Sequence, residues 1–315
     1  MRVSGRSRLH SRPVRTAILV ACVALLAAGC GSQGRTNRSA ASAGSLEALL
    51  DRPGQNVAIV PGDGDFAPGP VRYSFLVIRH DASVASAPRA RVWLARTRRS
   101  KPFEQATAQL EPIGVPGVSP PAEGDVTTIY VVHLTVPRPG QYWVVAEPVG
   151  GRPVQAIGSL QVKPRTASVA VGANAPRSRT PTFASTHGDI AALTTASPPD
   201  RALLRYSVAD SLAARVPFVV TFATPRYCTS RTCGPVVDVV ERVRRRFERR
   251  GIRFIHVEVF RNNNPSLGYN RWMEEWHLQT EPWVYLVRRK GRIAAKFEGS
   301  VSVAELATAV RRYLS

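Results

Sequence analysis

A change of hydrophobic period along the chain constrains the fold more than any other feature. From about Asn56 to Lys163, short β-type runs are separated by Pro/Gly turns: Asn56 to Val60, Val71 to His80, Arg89 to Thr97, Val126 to Val136, Gln141 to Val149 and Val154 to Lys163. Several alternate apolar and polar residues as half-buried strands do, and no convincing helical run interrupts them. Residues 164–200, rich in Pro, Ser, Thr and Ala, form a joint. Beyond it strand and helix patterns alternate: a helical spacing over Ala202 to Arg215, an apolar strand over Pro217 to Ala223, a helix over Pro235 to Arg250 and a strand over Arg253 to Phe260. A helix near Tyr269 to His277, strands at Trp283 to Val287 and Arg292 to Phe297, and a helix from Val303 to Leu314 follow. A chain of 315 residues has room for two cores. The reading is an all-β sandwich over 46–164, a linker and lead-in segment over 165–200, and an α/β sandwich over 201–315.

The start of the chain points to a compartment. Arg2, Arg6, Arg8, Arg12 and Arg15 precede an apolar run from Ala17 to Ala28, closed by Gly29-Cys30 and a polar Gly31-Ser32-Gln33-Gly34. A basic lead, a short apolar core and small residues at the cut define a secretory signal peptide, and the run is shorter than the roughly 20 residues of a membrane span. Leu26-Ala27-Ala28-Gly29-Cys30 resembles the lipobox of bacterial lipoproteins, with Ala27 where Leu is usual. That resemblance implies a signal peptide over 1–29, a palmitate-type lipid on Cys30, a tether over 30–45, and an anchored position on the outer, extracytoplasmic face of the cytoplasmic membrane.

With 43 Lys+Arg against 22 Asp+Glu the formal charge is +21, which by itself would suit a polyanion such as nucleic acid. A secreted chain meets little nucleic acid, however, and loss of residues 1–29 removes five Arg and no acid, leaving +16. Only four of the basic residues are Lys, a mark of GC-rich codon usage rather than of a phosphate-binding face. No nucleic-acid partner is expected.

Four cysteines are too few for a disulfide-knit scaffold. Cys22 leaves with the signal and Cys30 is taken by lipid, so Cys228 and Cys233 remain, a pair expected to be oxidised or cycling outside the cytoplasm. Val236, Val240, Val243 and Phe247 give the following helix an apolar stripe, opposite Arg242, Arg245, Arg246 and Arg249. Pro235 suits its first turn and Gly251 its left-handed stop. Cys233 therefore lies at a helix N-terminus, where unpaired amides favour a thiolate. Spacing alone leaves open which cysteine attacks: the helix start favours Cys233, the strand end favours Cys228.

Strand Phe218 to Ala223, then Cys228-Thr-Ser-Arg-Thr-Cys233-Gly234-Pro235 opening a helix, then Thr280-Glu281-Pro282-Trp283 and Gly291 to Gly299, resemble a thioredoxin-like domain of the TlpA and Sco kind. The resemblance implies an α/β thioredoxin-like sandwich, a redox Cys pair and a cis-Pro at Pro282. Two departures matter. The pair is Cys-x4-Cys rather than Cys-x-x-Cys, and Thr221 stands where the family has a buried acid, so Glu258 is a candidate proton acceptor. Glu281 and Trp283, flanking Pro282, are candidate client-binding residues, with Glu281 a negative charge opposing thiolate formation. Upstream, Val136-Pro-Arg-Pro-Gly-Gln-Tyr142 resembles the turn into a late strand of immunoglobulin-like domains, with Tyr142 as corner tyrosine.

Three functions compete. The first is a thiol-disulfide oxidoreductase acting on protein thiol or disulfide clients and needing no cofactor. The second is a non-catalytic binding lipoprotein with a structural disulfide. The third, by resemblance to Sco-type proteins, is copper binding or delivery, with Cu(I) held by Cys228, Cys233 and His277, or His256 in its place.

Overall fold

In a computed structural model, the described residues are 43–118, 125–228, 230 and 232–315. The signal peptide, Cys30 and most of the tether lie outside them. Residues 41–315 form one unit by internal contacts.

Ser45 accepts a hydrogen bond from the Ala48 amide, capping the short helix α1 (Leu46–Leu50). Seven strands follow: β1 (Gln55–Pro61), β2 (Gly69–Val77), β3 (Arg89–Ala95), β4 (Glu104–Pro112), β5 (Thr128–Val136), β6 (Gly140–Pro148) and β7 (Val154–Val162). Their order is β1-β2-β5-β4-β3-β6-β7, and β1 pairs in parallel with β7, Gln55 opposite Val154, which closes the ring. Alternate residues point inward, so Tyr73, Phe75, Val77, Val92, Leu94, Tyr130, Val132 and Val144 fill the interior. The Tyr142 hydroxyl donates to the Arg138 carbonyl at 2.6 Å and fixes the turn into β6.

The second half contains α2 (Val208–Ala213), β8 (Phe218–Phe222), α3 (Cys233–Phe247), β9 (Arg253–Val257), α4 (Arg271–Glu275), β10 (Trp283–Val287), β11 (Ile293–Glu298) and α5 (Val303–Tyr313). The strands form a separate sheet of order β11-β10-β8-β9, in which β8 and β9 run parallel and the other pairs antiparallel. Val236, Val240, Val243 and Phe247 are buried between α3, α5 and this sheet. Each such side chain contributes about 1.5–3 kcal/mol. Gly251, at φ +72°, ends the run after α3.

These findings correct the expected architecture of an immunoglobulin-like sandwich followed by an α/β thioredoxin-like sandwich. The chain is mostly β, a closed seven-stranded barrel with a separate four-stranded sheet. Inward-outward alternation is the same in a sandwich and a barrel, and what decides between them is the β1–β7 pairing, which no local pattern encodes. Two of the expected helices shrink to six and five residues, α2 and α4.

A buried polar seam joins barrel and sheet. The Arg72 guanidinium on β2 bonds Glu305 of α5 at 2.6 Å, Asp63 at 3.2 Å and the Ser300 carbonyl at 2.8 Å. Lys296 of β11 reaches Asp65 at 3.1 Å, and one Glu298 oxygen accepts the amides of Gly64 and Asp65, each at 2.8 Å. Close approach needs glycine at two points: Gly299 (φ +69°) lies against the Gly62 carbonyl, and a Cβ on Gly114 would fall 2.9 Å from Pro235 Cβ.

Candidate functional site

Cys228 and Cys233 form a disulfide with Cα atoms 5.9 Å apart. Cys233 is the first residue of α3 and is fully buried, whereas Cys228, on the loop leaving β8, is half-buried. The Cys233 amide, an N-terminal donor of a 15-residue helix, donates to Cys228 Sγ at 3.3 Å. Ser230 Oγ lies 3.2 Å from the same sulfur. The helix terminus thus serves Cys228, the accessible sulfur, and not the cysteine that begins the helix. This geometry separates the two thiols that spacing left equivalent.

The third group at the site is Glu281, whose carboxylate lies within 4.8 Å of both sulfurs. It precedes Pro282, and the Glu281–Pro282 peptide is cis. Burial pushes the Glu281 carboxyl up to about 7, and the neighbouring charge of Glu258 adds to the rise. One oxygen of each, Oε2, is buried with no protein partner. Glu258 Oε1 accepts from the amide and hydroxyl of Thr195, at 2.6 and 2.7 Å, and the Arg226 amide donates to that hydroxyl at 3.2 Å. Glu258 is thus wired to the Cys228 loop through Thr195, while Glu281 is the acid beside the sulfurs.

Trp283 is 2% exposed, its Nε1 donating to Thr280 Oγ1 at 3.0 Å and its ring stacked on Tyr285. A buried ring of this kind packs the sheet and has no surface to offer a client. Thr221 is buried and its hydroxyl donates to the Trp283 carbonyl. His277 is exposed just past the end of α4 and does not belong to the cluster of Cys228, Cys233 and Glu281, the group of potential metal ligands found among the described residues. His256 is buried with both ring nitrogens engaged, Nδ1 with Thr194 Oγ1 at 3.3 Å and Nε2 with the Ala223 carbonyl at 3.0 Å. The donor set near the thiols is completed by a hard carboxylate instead of an imidazole, a poor match for Cu(I).

Thr195 lies in the stretch read as linker, and no motif in the order of residues places it beside Glu258 or brings the barrel loop that carries Gly114 against Pro235. Glu298 accepts from Thr280 Oγ1 at 2.8 Å as well as from the barrel amides, so the loop before Pro282 and the loop after β1 share one carboxylate.

No protein-family model matches the chain, and no curated protein matches it. Among solved structures, a thiol:disulfide interchange protein of the thioredoxin family from Chlorobium tepidum TLS is similar over 35% of this chain and 86% of its own, at 15% identity and a TM-score of 0.28.

Proposed function

We propose that the protein is a lipid-anchored, extracytoplasmic thiol-disulfide oxidoreductase in which Cys228 attacks, Cys233 resolves and Glu281 handles the proton of the buried thiol. The observation that carries this reading is the arrangement at the start of α3, where the half-buried Cys228 sulfur receives the helix amide while Cys233 is sealed beneath it with Glu281 within 4.8 Å. In the reducing direction the Cys228 thiolate attacks one sulfur of a client disulfide and expels the other as a thiolate, which takes a proton from water. Glu281 then accepts the Cys233 proton, the Cys233 sulfur attacks Cys228, and the second client sulfur leaves as a thiolate that is protonated in turn. The client gains two electrons and two protons, and the pair ends as the disulfide. The oxidising direction runs the same steps in reverse. Glu258 acts as a positioning residue through its charge on Glu281.

Trapping tests the assignment. Cys233→Ser should accumulate a stable mixed disulfide between Cys228 and glutathione, visible by mass spectrometry, whereas Cys228→Ser should form none. Equal trapping by both variants, or a pair that cannot be reduced reversibly, overturns the reading. Anchoring rests on the Leu26 to Cys30 sequence. Incorporation of labelled palmitate that is lost in Cys30→Ser, with the chain accessible to protease outside the cytoplasmic membrane, is the expected result.

A further inference from the structure

A cleft of about 1450 Å³ opens beside the disulfide, between the barrel and the start of α3. It exceeds the volume of an ordinary small-molecule pocket, about 300–1000 Å³. One wall is the outer face of the barrel, with Leu76 on β2, Ile113 after β4 and Ile129 on β5. The opposite wall is Ser230, Thr232 and Pro235, and Ser230 Oγ is the atom 3.2 Å from Cys228 Sγ. Two groups that line the cleft, Ser230 and Glu281, are neighbours of the disulfide, and the barrel supplies a surface that the four-stranded sheet alone lacks.

Among the described residues, the ionisable groups that line the cleft are the acids Asp63, Asp125, Glu281 and Glu298, in a chain that carries 43 basic against 22 acidic residues. Asp63 is matched by Arg72. Glu298 accepts hydrogen bonds from the neutral donors Gly64 N, Asp65 N and Thr280 Oγ1. Apolar barrel residues and carboxylates lining one cleft, next to a disulfide, are complementary to a strand of polypeptide with apolar and cationic side chains. The Gly299–Gly62 and Gly114–Pro235 contacts hold the walls at fixed spacing, which lowers the ordering cost of binding.

We propose that this cleft seats the client, an extended cysteine-bearing polypeptide segment whose flanking residues are apolar and cationic, with the barrel as the specificity wall. The proposal rests on the oxidoreductase reading, and the experiment separates the two. Three synthetic twelve-residue peptides carry one central cysteine in a mixed disulfide with glutathione, flanked by Leu/Lys, Leu/Glu or Gly/Ser residues. Each is mixed in single turnover with the pre-reduced chain, and oxidised glutathione serves as the small-disulfide reference. The Leu/Lys peptide should react at least tenfold faster than the Leu/Glu peptide, with the advantage shrinking from 50 to 500 mM salt. Leu76→Arg and, independently, Ile113→Arg should reduce that advantage to within twofold while leaving the glutathione reference unchanged.

Equal rates for all three peptides, or a preference that survives both substitutions, overturns the cleft as the client seat. Fluorescence anisotropy with the Ser-for-Cys forms of the Leu/Lys and Leu/Glu peptides reads binding without chemistry. Retained binding preference with no exchange even of oxidised glutathione overturns the oxidoreductase reading and leaves the cleft as a peptide site. Exchange of glutathione without any binding preference does the opposite.

Discussion

At the scale of single residues, the informative group is Glu281. Its carboxyl is raised to about 7 first by burial and then by Glu258, and Tyr269 faces the same charge, its hydroxyl pushed up by burial and by Glu281. As the base for Cys233 it must be ionised, so the resolving step should speed up as pH rises through about 7 and then level. Glu281→Gln should slow that step by about 100-fold, a usual size for lost acid-base catalysis, and remove the inflection. Glu258→Gln should keep the inflection but move it to lower pH, because a negative neighbour has gone. Stopped-flow measurement of mixed-disulfide resolution between pH 5 and 9 checks both, and an unmoved inflection in Glu258→Gln would rule out the coupling. Stability supplies a second readout with a defined sign. A carboxyl held near 7 in the folded chain, against the ordinary 4.5, binds its proton more tightly when folded, so its contribution is present below about 4.5 and lost as pH rises through about 7. Glu281→Gln should therefore raise the melting temperature of the oxidised chain at pH 8 and leave it nearly unchanged at pH 4.5.

At the scale of elements, α3 is the device that makes two cysteines unlike. Its apolar stripe and its stop at Gly251 were readable from the order of residues, and so was the existence of β8, β9, β10 and β11. The aim of the first amide was not, because it depends on the position of Cys228, five residues upstream, whose sulfur accepts the Cys233 amide. The seven barrel strands were legible except β4, whose Glu-Gln-Ala-Thr run has little apolar content and buries only Ala108 fully. That strand lies between β5 and β3, so overlooking it also concealed the route to closure. Thr232, the residue before α3, makes no capping hydrogen bond to the helix and its hydroxyl lies 2.8 Å from Ser230 Oγ. Thr232→Asp should oppose the helix field at Cys228. In a Cys233→Ser background, alkylation of Cys228 at pH 7 should then fall about tenfold, equivalent to one pH step in the thiol titration. An unchanged alkylation profile would mean that the helix terminus does not set the reactivity of Cys228.

At the scale of the whole molecule, the question is whether barrel and sheet act as one body, since the cleft exists only while they are docked. The seam answers through Arg72, whose side chain is 10% exposed, with Asp63 and Glu305 at 5% and 14%. No sequence pattern could pair residues 72 and 305, since neither lies in a motif and the contact spans the chain. Arg72 is the counter-ion of both carboxylates, and burial holds the Asp63 carboxyl up at about 7 even beside it, so replacing the guanidinium leaves Glu305 and Asp63 buried without a counter-ion. Breaking a buried pair in this way costs about 3–5 kcal/mol, a large share of the roughly 5–15 kcal/mol that stabilises a typical native fold. Arg72→Met preserves much of the volume and removes the charge. It should lower the melting temperature by about 6–20 °C, at roughly 2–4 °C per kcal/mol for domains of 150–250 residues. Partial relief should come from Glu305→Gln in the same chain, because one stranded charge is then neutralised. If the loss is felt at the seam, Arg72→Met should also erase the preference for Leu/Lys peptides while oxidised glutathione still exchanges. A melting temperature within 2 °C of the parent chain, with the peptide preference intact, would instead mean that Arg72 does not hold the barrel against the disulfide.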